Sequence, residues 1–523
     1  MLRSDLRVTT DERTGEHILF DPITLSEFVL THRQRALVER PSSPRGVADD
    51  VAEFLTCLSD LCLLEPAPPA DQIIERQREQ RRCLVAAVQR AKYDAQLSRL
   101  REDIPFYRDW LSTVDPRWRF DELVRMPCLT KSDLRAAASD PRALVPADRP
   151  WATPPTLEST SGTTAERFQI ASEPEYRERM VDALAVRNRH VRDVFKRIRD
   201  VRVCYICSPL FDDHEVPLGA HGRALPRERR MRGTGTLRFD APGNILTLPP
   251  EKLDQMIEEA RAFAPGILFG DPVHLSVLAS HARATRARLP PLEFVMTAFE
   301  LCSDVSRRII QEVFECPAYD LYSATEFASA AVQGDCGQYH VYDEAFIVEI
   351  LAAGRPVAPG GLGQIIVTTL EKTCTPLLRY ETGDLARTSP NPCSCAFSHC
   401  VSLSSIEGRV QDLIADATGA MVTPRAVDRA VAGATGFLFY GLVQLSDERY
   451  LLQIIPDDRF SPATTRLLGD RLHELLGPSA SIDIETVPFL TPAPSGKFRI
   501  SQARRPEGSR SCRAAGDLTP DLS

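Results

Sequence analysis

The sequence predicts a large, layered α/β domain followed by a smaller α+β domain, with a small helical extension at the N-terminus. Between residues 151 and 405, β-rich runs such as VRVCYICSPL, GILFG, LEFVMTAF and GQIIVTTL alternate with helical runs such as PEKLDQMIEEARAF. Such alternation favours sheets covered by helices. After Gly408 the pattern changes to helix PRAVDRAVAG, strands FLFYGLVQL and YLLQIIP, and helix ATTRLLGDRLHELLG. This change of pattern predicts a second, smaller unit.

The predicted domain boundaries follow the same changes. Residues 1–75 carry two amphipathic helix patterns, TLSEFVLTHRQRALVE and DDVAEFLTCLSDLCLLE, followed by the linker-like PAPPA. They predict either a simple extension packed on the main domain or a winged-helix-like module that resembles peptide-recognition domains of the PqqD type. The main domain is placed at 76–407 and the small domain at 408–504. Residues 505–523, which contain Gly, Ser, Arg and Pro, are expected to be disordered.

Bulk composition argues against two classes of partner. The 523-residue chain has a formal net charge of -9, whereas nucleic-acid binders usually need a positive surface. No run approaches the roughly 20 apolar residues that a membrane helix requires, and the charged N-terminus lacks the apolar core of a secretory signal. We therefore expect a cytoplasmic protein with no nucleic-acid or membrane partner. Its 14 cysteines should be mostly reduced.

A cluster of small hydroxyl residues, STSGTTAER at Ser159–Arg167, is typical of a loop that binds phosphates. Small residues let backbone N–H groups approach an anion closely, and the Ser and Thr hydroxyls add donors. Similar clusters also form ordinary surface loops, and the cluster lacks the GxxxxGK[ST] pattern of the usual nucleoside triphosphatases. The residues alone therefore leave both interpretations open.

Four further motifs place charged side chains at turns. YDLYSATEF sets Thr325 beside Glu326, and one carboxylate together with nucleotide phosphates often holds Mg²⁺. In LLRYETGDLAR a tight turn delivers Asp384, whose carboxylate can accept both hydroxyls of a ribose. IEGRVQDLI carries Arg409 where the composition changes, and TPAPSGKFRI puts Lys497 on a short loop. Each motif alone is also compatible with ordinary turn chemistry.

The order and spacing of all five motifs resemble the adenylate-forming superfamily of acyl-CoA synthetases, adenylation domains and luciferases. Within it, the chain is most similar to the phenylacetate–CoA ligases, which the segments AAVQRAKYD, DIPFYRDW, MPCLTKSDLR and GQYHVYDEAFIVEI also resemble. The resemblance implies a small C-terminal lid domain that swings. It also implies activation of a carboxylic acid, expected to be aromatic, by ATP and Mg²⁺ to an acyl-AMP, with release of pyrophosphate. The acyl group would then pass to CoA.

The resemblance also implies a role for each matching residue. The nucleotide would be bound by Ser161, Gly162, Thr163, Thr164, Ala298, Phe299, Glu300, Tyr322, Asp384 and Arg409. The first four would surround the β- and γ-phosphates, residues 298–300 and Tyr322 would lie on either face of adenine, and the last two would bind ribose. Thr325 would touch the α-phosphate and Glu326 would hold Mg²⁺. Lys497 would bridge the substrate carboxylate and the α-phosphate.

The sequence departs from the family pattern in ways that leave the acceptor open. The phosphate loop continues as residues 165–167, Ala-Glu-Arg, where the family has Gly-Lys-Pro, so Arg167 would replace the lysine. The hinge residue, Asp or Lys in the family, is Gln411. The changed hinge and the N-terminal extension favour, as an alternative, an adenylating enzyme whose acceptor is a carrier protein, an amine or nitrite. The intact Lys497 argues against a third possibility, a peptide-binding protein built on a degenerate ligase fold.

A second kind of site is predicted from cysteines. Cys336 and His340 lie in DCGQYH, and Cys393 and Cys395 form a C-x-C in NPCSCAFSHC. Three thiolates and one imidazole suit tetrahedral Zn²⁺ with no open position, and members of the resembled family with similar Cys/His pairs hold zinc. His399 or Cys400 would be alternative ligands, and unrelated loop cysteines are the other interpretation. The site would brace loops beside the nucleotide.

Overall fold

The computed structural model describes most of the chain, with gaps. The described residues are 6–10, 17–21, 26–30, 34–35, 56–61, 63–64, 69–112, 119–146, 155–159, 168–173, 176–185, 187–198, 200–208, 230–241, 243–393, 395 and 397–504. The predicted phosphate loop residues 160–167 and the tail 505–523 lie outside them. Within these ranges, none of the helices is both long enough and apolar enough to cross a membrane.

The N-terminal extension contains an antiparallel sheet in the order β1-β2-β3. Its strands are β1 (Arg7–Thr10), β2 (His17–Asp21) and β3 (Ser26–Leu30). The sequence pattern predicts a helix across TLSEFVLTHRQRALVE, and this prediction is wrong for residues 26–30. Five residues of β3 pair with β2, and such tertiary pairing overrides a local helical pattern. Residues 56–60, inside the second predicted helix, are helical.

Of the ten helices named here, five precede the strands of the main sheet in the chain, three lie between them and two follow them. In chain order they are α1 (Ala70–Asp103), α2 (Pro105–Ser112), α3 (Lys131–Ala137), α4 (Tyr176–Ala185), α5 (Arg189–Arg197), α6 (Pro250–Phe263), α7 (Pro272–Thr285), α8 (Asp304–Phe314), α9 (Pro424–Val431) and α10 (Pro462–Leu476). Short 3₁₀ segments occur at Phe120–Arg125, Pro141–Leu144, Ile245–Thr247 and Val410–Asp412. Helix α1 contains the predicted QRRCLVAAVQRAKYDAQLSRL. It ends at an extended Ile104, because a residue before proline is pushed out of the helical region.

A small hairpin precedes the main sheet. It consists of β4 (Thr156–Ser159) and β5 (Gln169–Ser172), paired antiparallel with Ser159 opposite Gln169. The predicted phosphate loop therefore joins the two paired ends of this hairpin. Strand β5 is fixed to the body of the protein through Ala171, whose amide donates to the Thr375 hydroxyl at 3.1 Å.

In the described residues, thirteen strands form one large sheet in the order β15-β14-β16-β17-β18-β13-β12-β11-β10-β9-β6-β8-β7. They are β6 (Val203–Ile206), β7 (Met231–Arg232), β8 (Thr236–Arg238), β9 (Ile267–Gly270), β10 (Phe294–Thr297), β11 (Ala318–Ala324), β12 (Ala328–Gln333), β13 (Tyr339–Val341), β14 (Phe346–Ala352), β15 (Arg355–Pro356), β16 (Leu362–Thr369), β17 (Tyr380–Thr388) and β18 (Ser402–Arg409). Strands β8, β6, β9, β10 and β11 are parallel neighbours. The rest of the sheet, in the order β11-β12-β13-β18-β17-β16-β14-β15, is joined by antiparallel pairs.

The C-terminal residues form a separate sheet. Its strands β21 (Phe437–Ser446), β22 (Arg449–Pro456), β23 (Ser481–Thr486) and β24 (Ser501–Ala503) are ordered β23-β22-β21-β24. A short pair, β19 (Ile414–Ala415) and β20 (Met421–Val422), precedes it. Together with α9 and α10 this is the predicted α+β unit. The predicted fold class, a layered α/β sheet followed by a small α+β sheet, is therefore confirmed.

Hydrophobic packing ties the C-terminal sheet to the parallel half of the large sheet. Buried side chains from residues 204–318 and 414–500 belong to one cluster. The antiparallel half packs mainly in another cluster, to which α1 contributes Tyr93, Leu97 and Leu100. Strand β18 of the large sheet runs two residues past the predicted boundary at 407/408. The division into domains stays a prediction.

Candidate active site

A cleft lies where the large sheet and the C-terminal sheet meet. It is lined by residues 299–301 beyond the carboxyl end of β10, by residues 320–323 of β11, by Asp384 in β17, by the end of β18, and by residues 495 and 497–500. In open α/β sheets, ligands bind outside the carboxyl ends of parallel strands. The position of this cleft agrees with that rule.

Three predicted nucleotide ligands contact one another in the cleft. The Tyr322 hydroxyl donates to Asp384 Oδ2 at 2.9 Å, and Arg409 Nε lies 3.2 Å from Asp384 Oδ1. Asp384 and Arg409 are direct partners in the register of β17 and β18. Burial, together with the Asp384 charge, raises the pKa of Tyr322 well above its usual 10. The phenol therefore stays protonated and donates to a carboxylate that is oriented from both sides.

Gly408 allows Arg409 to be presented in this way. Its φ is +106°, and a Cβ atom there would lie 2.5 Å from Cγ of Pro424. Other residues rarely adopt this backbone conformation, and no side chain fits the space. The turn from β18 towards α9 therefore depends on glycine.

Glu326 lies in the turn between β11 and β12, directly after the half-buried Thr325. Its Oε1 accepts a hydrogen bond from the Tyr380 hydroxyl at 3.1 Å and lies 3.3 Å from Lys131 Nζ. Its main-chain carbonyl accepts from Lys372 Nζ at 2.8 Å. Burial raises the pKa of the carboxyl, but the Lys131 charge and the hydrogen bonds more than offset burial, so the pKa is lowered overall. An ionised carboxylate suits Mg²⁺.

Lys497 lies on the loop between β23 and β24 and lines the same cleft as Asp384 and Arg409. A turn closed by the Ala493 amide, which donates to the Lys497 carbonyl at 2.8 Å, forms this loop. Burial, and next the positive charge of Arg409, lowers the pKa of Lys497 to about 7, while Asp384, Glu300 and Glu326 raise it. The lysine is thus within electrostatic range of every charged group predicted for the site in the described residues.

Residues 298–300 divide between core and cleft. Ala298 is buried, 1% exposed, in a hydrophobic cluster, whereas Phe299 and Glu300 line the cleft. Phe299 has a positive φ of 80°, which is unusual for a bulky residue and holds its ring near Tyr205 and Phe269. Glu300 Oε2 accepts a hydrogen bond from the Phe498 amide at 2.8 Å. Burial, and then the neighbouring Asp271, raises the pKa of Glu300 well above 4.5.

The strand that follows the predicted phosphate loop is linked to Glu326 through the turn before β17. The Glu173 carboxylate accepts from the amides of Thr373 and Cys374, at 2.8 and 3.1 Å. The adjacent Lys372 has a fully buried side chain that donates to the Glu326 carbonyl. Burial lowers the pKa of Lys372 to about 8. The positions of Ser161, Gly162, Thr163 and Thr164 themselves lie outside the described residues.

Sequence reasoning missed three residues around Glu326: Lys131, Lys372 and Tyr380. Lys131 begins α3 immediately after Thr130, whose side chain forms a reciprocal cap with Asp133. The T-x-x-D spacing in MPCLTKSDLR signals such a helix start. Nothing in this spacing indicates that Lys131 contacts Glu326, which lies far along the chain. Lys372 follows an apolar run, and no local sequence pattern indicates its contact with Glu326.

The four predicted zinc ligands come together beside β13, the strand that contains His340. The ligand atoms of Cys336, His340, Cys393 and Cys395 all lie within 4.8 Å of one another. His340 Nε2 is 3.2 Å from the sulfurs of Cys336 and Cys395 and 3.8 Å from that of Cys393. Its Nδ1 lies 3.1 Å from the Ser402 hydroxyl, the kind of second contact that orients a ligating imidazole. Donor types and spacing fit tetrahedral zinc.

The alternative ligands do not join this group. His399 Nε2 lies 3.5 Å from the sulfur of Cys400, and neither belongs to the four-residue set. Arg78 of α1 donates to the Ser398 hydroxyl at 3.2 Å and to the Cys393 carbonyl at 3.4 Å. The cysteine loop is therefore bound to the first long helix as well.

Comparisons with known proteins place this geometry in context. No protein-family model matches the chain. The phenylacetate-coenzyme A ligase of Thermus thermophilus is 28% identical over 161 residues, which cover 29% of this chain and 36% of that enzyme. The Escherichia coli enzyme of the same name is 24% identical over 304 residues, which cover 55% of this chain and 64% of that enzyme. The chain thus matches less than two thirds of the length of either relative.

Solved structures extend the likeness over most of the fold. A 2-hydroxyisobutyryl-CoA ligase in the postadenylation state with 2-HIB-AMP superposes with a TM-score of 0.57 at 18% identity, covering 78% of this chain and 86% of that one. The same ligase with R3-HIB-AMP gives 0.58 at 19% identity, covering 82% and 90%. At such identities the likeness establishes a shared fold.

Proposed function

We propose that this chain, which has the fold of adenylate-forming acyl-CoA ligases and is similar in sequence to phenylacetate-coenzyme A ligases, is an ATP-dependent acid–thiol ligase. It would convert a carboxylic acid, ATP and Mg²⁺ into an acyl-AMP and pyrophosphate, and then transfer the acyl group to CoA. The observation that carries the proposal is a single cleft lined by Tyr322, Asp384, Arg409 and Lys497, which come from four separate parts of the chain. Glu326 lies within electrostatic range of Lys497.

The cleft fits a nucleotide by the chemistry of its groups. The Asp384 carboxylate is already oriented by Tyr322 and Arg409, so it is positioned to accept the two ribose hydroxyls. Phe299 and Glu300 form the wall next to it, where the adenine ring would lie. An ionised Glu326 would hold Mg²⁺, with Thr325 beside it towards the α-phosphate. Residues 160–167 would surround the terminal phosphates.

Bound ATP would supply an electrophilic α-phosphorus and pyrophosphate as the leaving group. A carboxylate oxygen of the acid would bond to that phosphorus as the bond to pyrophosphate breaks. Lys497 would hold the acid and the α-phosphate together, because one cation between two anions offsets their repulsion most in the transition state. In the second step the thiol sulfur would attack the acyl carbon, AMP would leave, and the thiol proton would pass to solvent.

The small domain, residues 408–504, would act as the lid that brings Lys497 in for the first step and withdraws it for the second. The sequence similarity to phenylacetate-coenzyme A ligases favours an aromatic acid. The stacked and tilted rings of Tyr205, Phe269 and Phe299 next to the cleft support the same substrate class, since aromatic pairs favour offset or edge contacts.

A different acceptor is the second candidate. Gln411 lines the cleft at the hinge position. Its uncharged side chain departs from the Asp or Lys that the resembled family has there. The N-terminal sheet β1–β3 adds a module that adenylation does not need. A carrier protein or an amine would then receive the acyl group, or nitrite would itself be activated with ATP for a diazotisation.

One experiment separates these possibilities. ATP–pyrophosphate exchange is measured with the purified chain over a panel of aromatic and aliphatic acids, and thioester formation is measured with and without CoA. Acid-dependent exchange supports adenylation, and thioester formation supports CoA as acceptor. Exchange without a CoA thioester favours the second candidate, and absence of exchange with every acid would overturn the proposed function.

We also propose that Cys336, His340, Cys393 and Cys395 bind one structural Zn²⁺. The support is the close grouping of the four ligand atoms and the contact of His340 with Ser402. Because a structural metal binds only the folded chain, its binding free energy adds to stability. The zinc would hold the cysteine loop against β13 and α1 without taking part in the reaction.

A further inference from the structure

Helices α8 and α9 lie on opposite sides of the predicted domain boundary at 407/408, and each supplies a cap for the other. The first N–H groups and the last carbonyls of a helix have no partner within it. Asp428 Oδ2 on α9 accepts a hydrogen bond at 2.8 Å from the amide of Asp304, the first residue of α8. In return, Arg308 on α8 donates to the carbonyl of Ala432, the C-cap residue of α9, and at 2.8 Å to that of Ala434. A carboxylate at a helix start and a guanidinium at a helix end both match the helix dipole.

A buried arginine joins these two helices to the large sheet. Arg425 Nη1 donates to Asp428 Oδ2 at 2.7 Å and to Asp304 Oδ1 at 3.3 Å. Its Nε donates to the Ile406 carbonyl in β18 at 3.2 Å. The other oxygen of Asp428 accepts from the Tyr440 hydroxyl at 2.8 Å. Asp428 is fully buried, and a buried charge is costly to leave without its partners. Withdrawing α9 from α8 and β18 would therefore break bonds to both Asp304 and Ile406.

The start of α9 is held by β18 as well. Glu407 in β18 is buried, and its Oε2 accepts at 2.8 Å from the hydroxyl of Thr423, the N-cap residue of α9. Arg429 Nη2 on α9 lies 3.5 Å from Glu407 Oε1. Contacts across the predicted boundary thus occur at both ends of α9 and along its length.

The position of α9 is linked to that of the proposed catalytic lysine. Val427 on α9 and Phe498, the neighbour of Lys497, are buried in one hydrophobic cluster. Strand β21, which carries Tyr440, pairs with β24 directly after the lysine loop. Because protein interiors are close-packed, we expect a shift of α9 away from α8 to carry Lys497 with it.

We infer that Asp304 and Arg308 are positioning residues for acid activation: through their contacts with α9 they hold Lys497 in the cleft. The inference rests on the proposed function, in which the small domain withdraws this lysine before acyl transfer. Neither residue is among those that line the cleft, so both act through Lys497. The side chain of Asp304 is 46% exposed and Arg308 is half-buried. Water can therefore replace their bonds when the small domain leaves.

Hydrogen–deuterium exchange of the full chain measures this docking without relying on turnover. The acceptor of the Asp304 amide lies across the boundary, so exchange of this amide reports the separation of α9 from α8. Arg308→Ala should speed the exchange about tenfold, because hydrogen bonds from a charged donor are lost. Arg308→Lys keeps a donor for the same carbonyls and should recover most of the protection. Unchanged exchange of this amide in Arg308→Ala would overturn the inference.

The matched control is Arg261→Ala. Arg261 also donates to a main-chain carbonyl, that of Arg288 at 2.9 Å, but both residues belong to the predicted large domain. Its removal should leave the exchange of the Asp304 amide and the ATP–pyrophosphate exchange unchanged. A control that behaved like Arg308→Ala would show a general loosening of the fold and would count against the inference.

ATP–pyrophosphate exchange shows whether the docking positions the lysine. In the double variant Asp304→Ala, Arg308→Ala, the rate at saturating ATP should fall about tenfold. The KM for MgATP should stay within about twofold of the wild type, because Tyr322 and Asp384 lie in the large sheet. Faster amide exchange with an unchanged rate, or equal losses in rate and in ATP affinity, would overturn the inference. A wild type without exchange for any acid would instead overturn the proposed function on which the inference rests.

Discussion

The carboxyl group of Glu300 accepts a hydrogen bond from the main-chain amide of Phe498 at 2.8 Å. One partner follows β10 in the large sheet, and the other adjoins Lys497 in the loop before β24. This bond therefore connects the parallel sheet to the loop that carries the proposed catalytic lysine. Glu300 is also in contact with Asp271, and burial followed by the Asp271 charge raises the pKa of Glu300 well above 4.5.

The raised pKa favours the protonated form of Glu300, which can donate to Asp271 while accepting from Phe498. Glutamine can make the same two bonds. We expect Glu300→Gln to retain ATP–pyrophosphate exchange. Glu300→Ala should lower it and reduce stability by about 1–3 kcal/mol, because two buried groups lose their partner. Exchange rates and urea unfolding of the two variants check this expectation. Equal losses in both variants would contradict it.

The contact between Glu300 and Asp271 also predicts that the stability of the fold depends on pH. A carboxyl whose pKa is raised by folding binds its proton more tightly in the native state, so stability falls as the pH rises from 4.5, its unfolded value, through the folded pKa. Glu300→Gln removes this group. The melting temperature of the variant should therefore decline less than that of the wild type across this pH range. Parallel declines would show that Glu300 is not protonated in the fold.

The Tyr322–Asp384 contact predicts a selective effect on the nucleotide. Tyr322→Phe removes the hydroxyl that orients the carboxylate, which costs about 1.5 kcal/mol for a hydrogen bond to a charged group. The KM for ATP in the exchange assay should rise about tenfold, while the KM for the acid stays near the wild-type value. A similar rise in both constants would indicate a general disturbance of the cleft.

Zinc content checks the cysteine site. Cys393→Ser should lose the metal, which we expect at one atom per chain, and should lower the melting temperature because metal binding adds to folding free energy. Elemental analysis and thermal unfolding measure the two effects. The control is Cys83→Ser, which changes an exposed cysteine on α1. This variant should keep the zinc content and the melting temperature of the wild type. Wild-type protein without zinc would refute the site.

Periodic segments are predictable from the sequence, and contacts between distant segments are not. Helix α6 and strand β16 have clear helical and strand patterns, and both form where predicted. The helical pattern across β3 misleads because pairing with β2 decides the conformation of that segment. Lys131 and Lys372 meet Glu326 only through the packing of α3 and of the turn before β17. No local pattern carries such information.

The central claim is that Lys497 joins the acid and the α-phosphate during adenylation. ATP–pyrophosphate exchange by Lys497→Ala, with the best acid found for the wild type, tests it most directly. We expect exchange to fall by about a hundredfold or more, with MgATP binding nearly unchanged and acyl transfer from pre-made acyl-AMP much less affected. Wild-type exchange by Lys497→Ala would contradict the account.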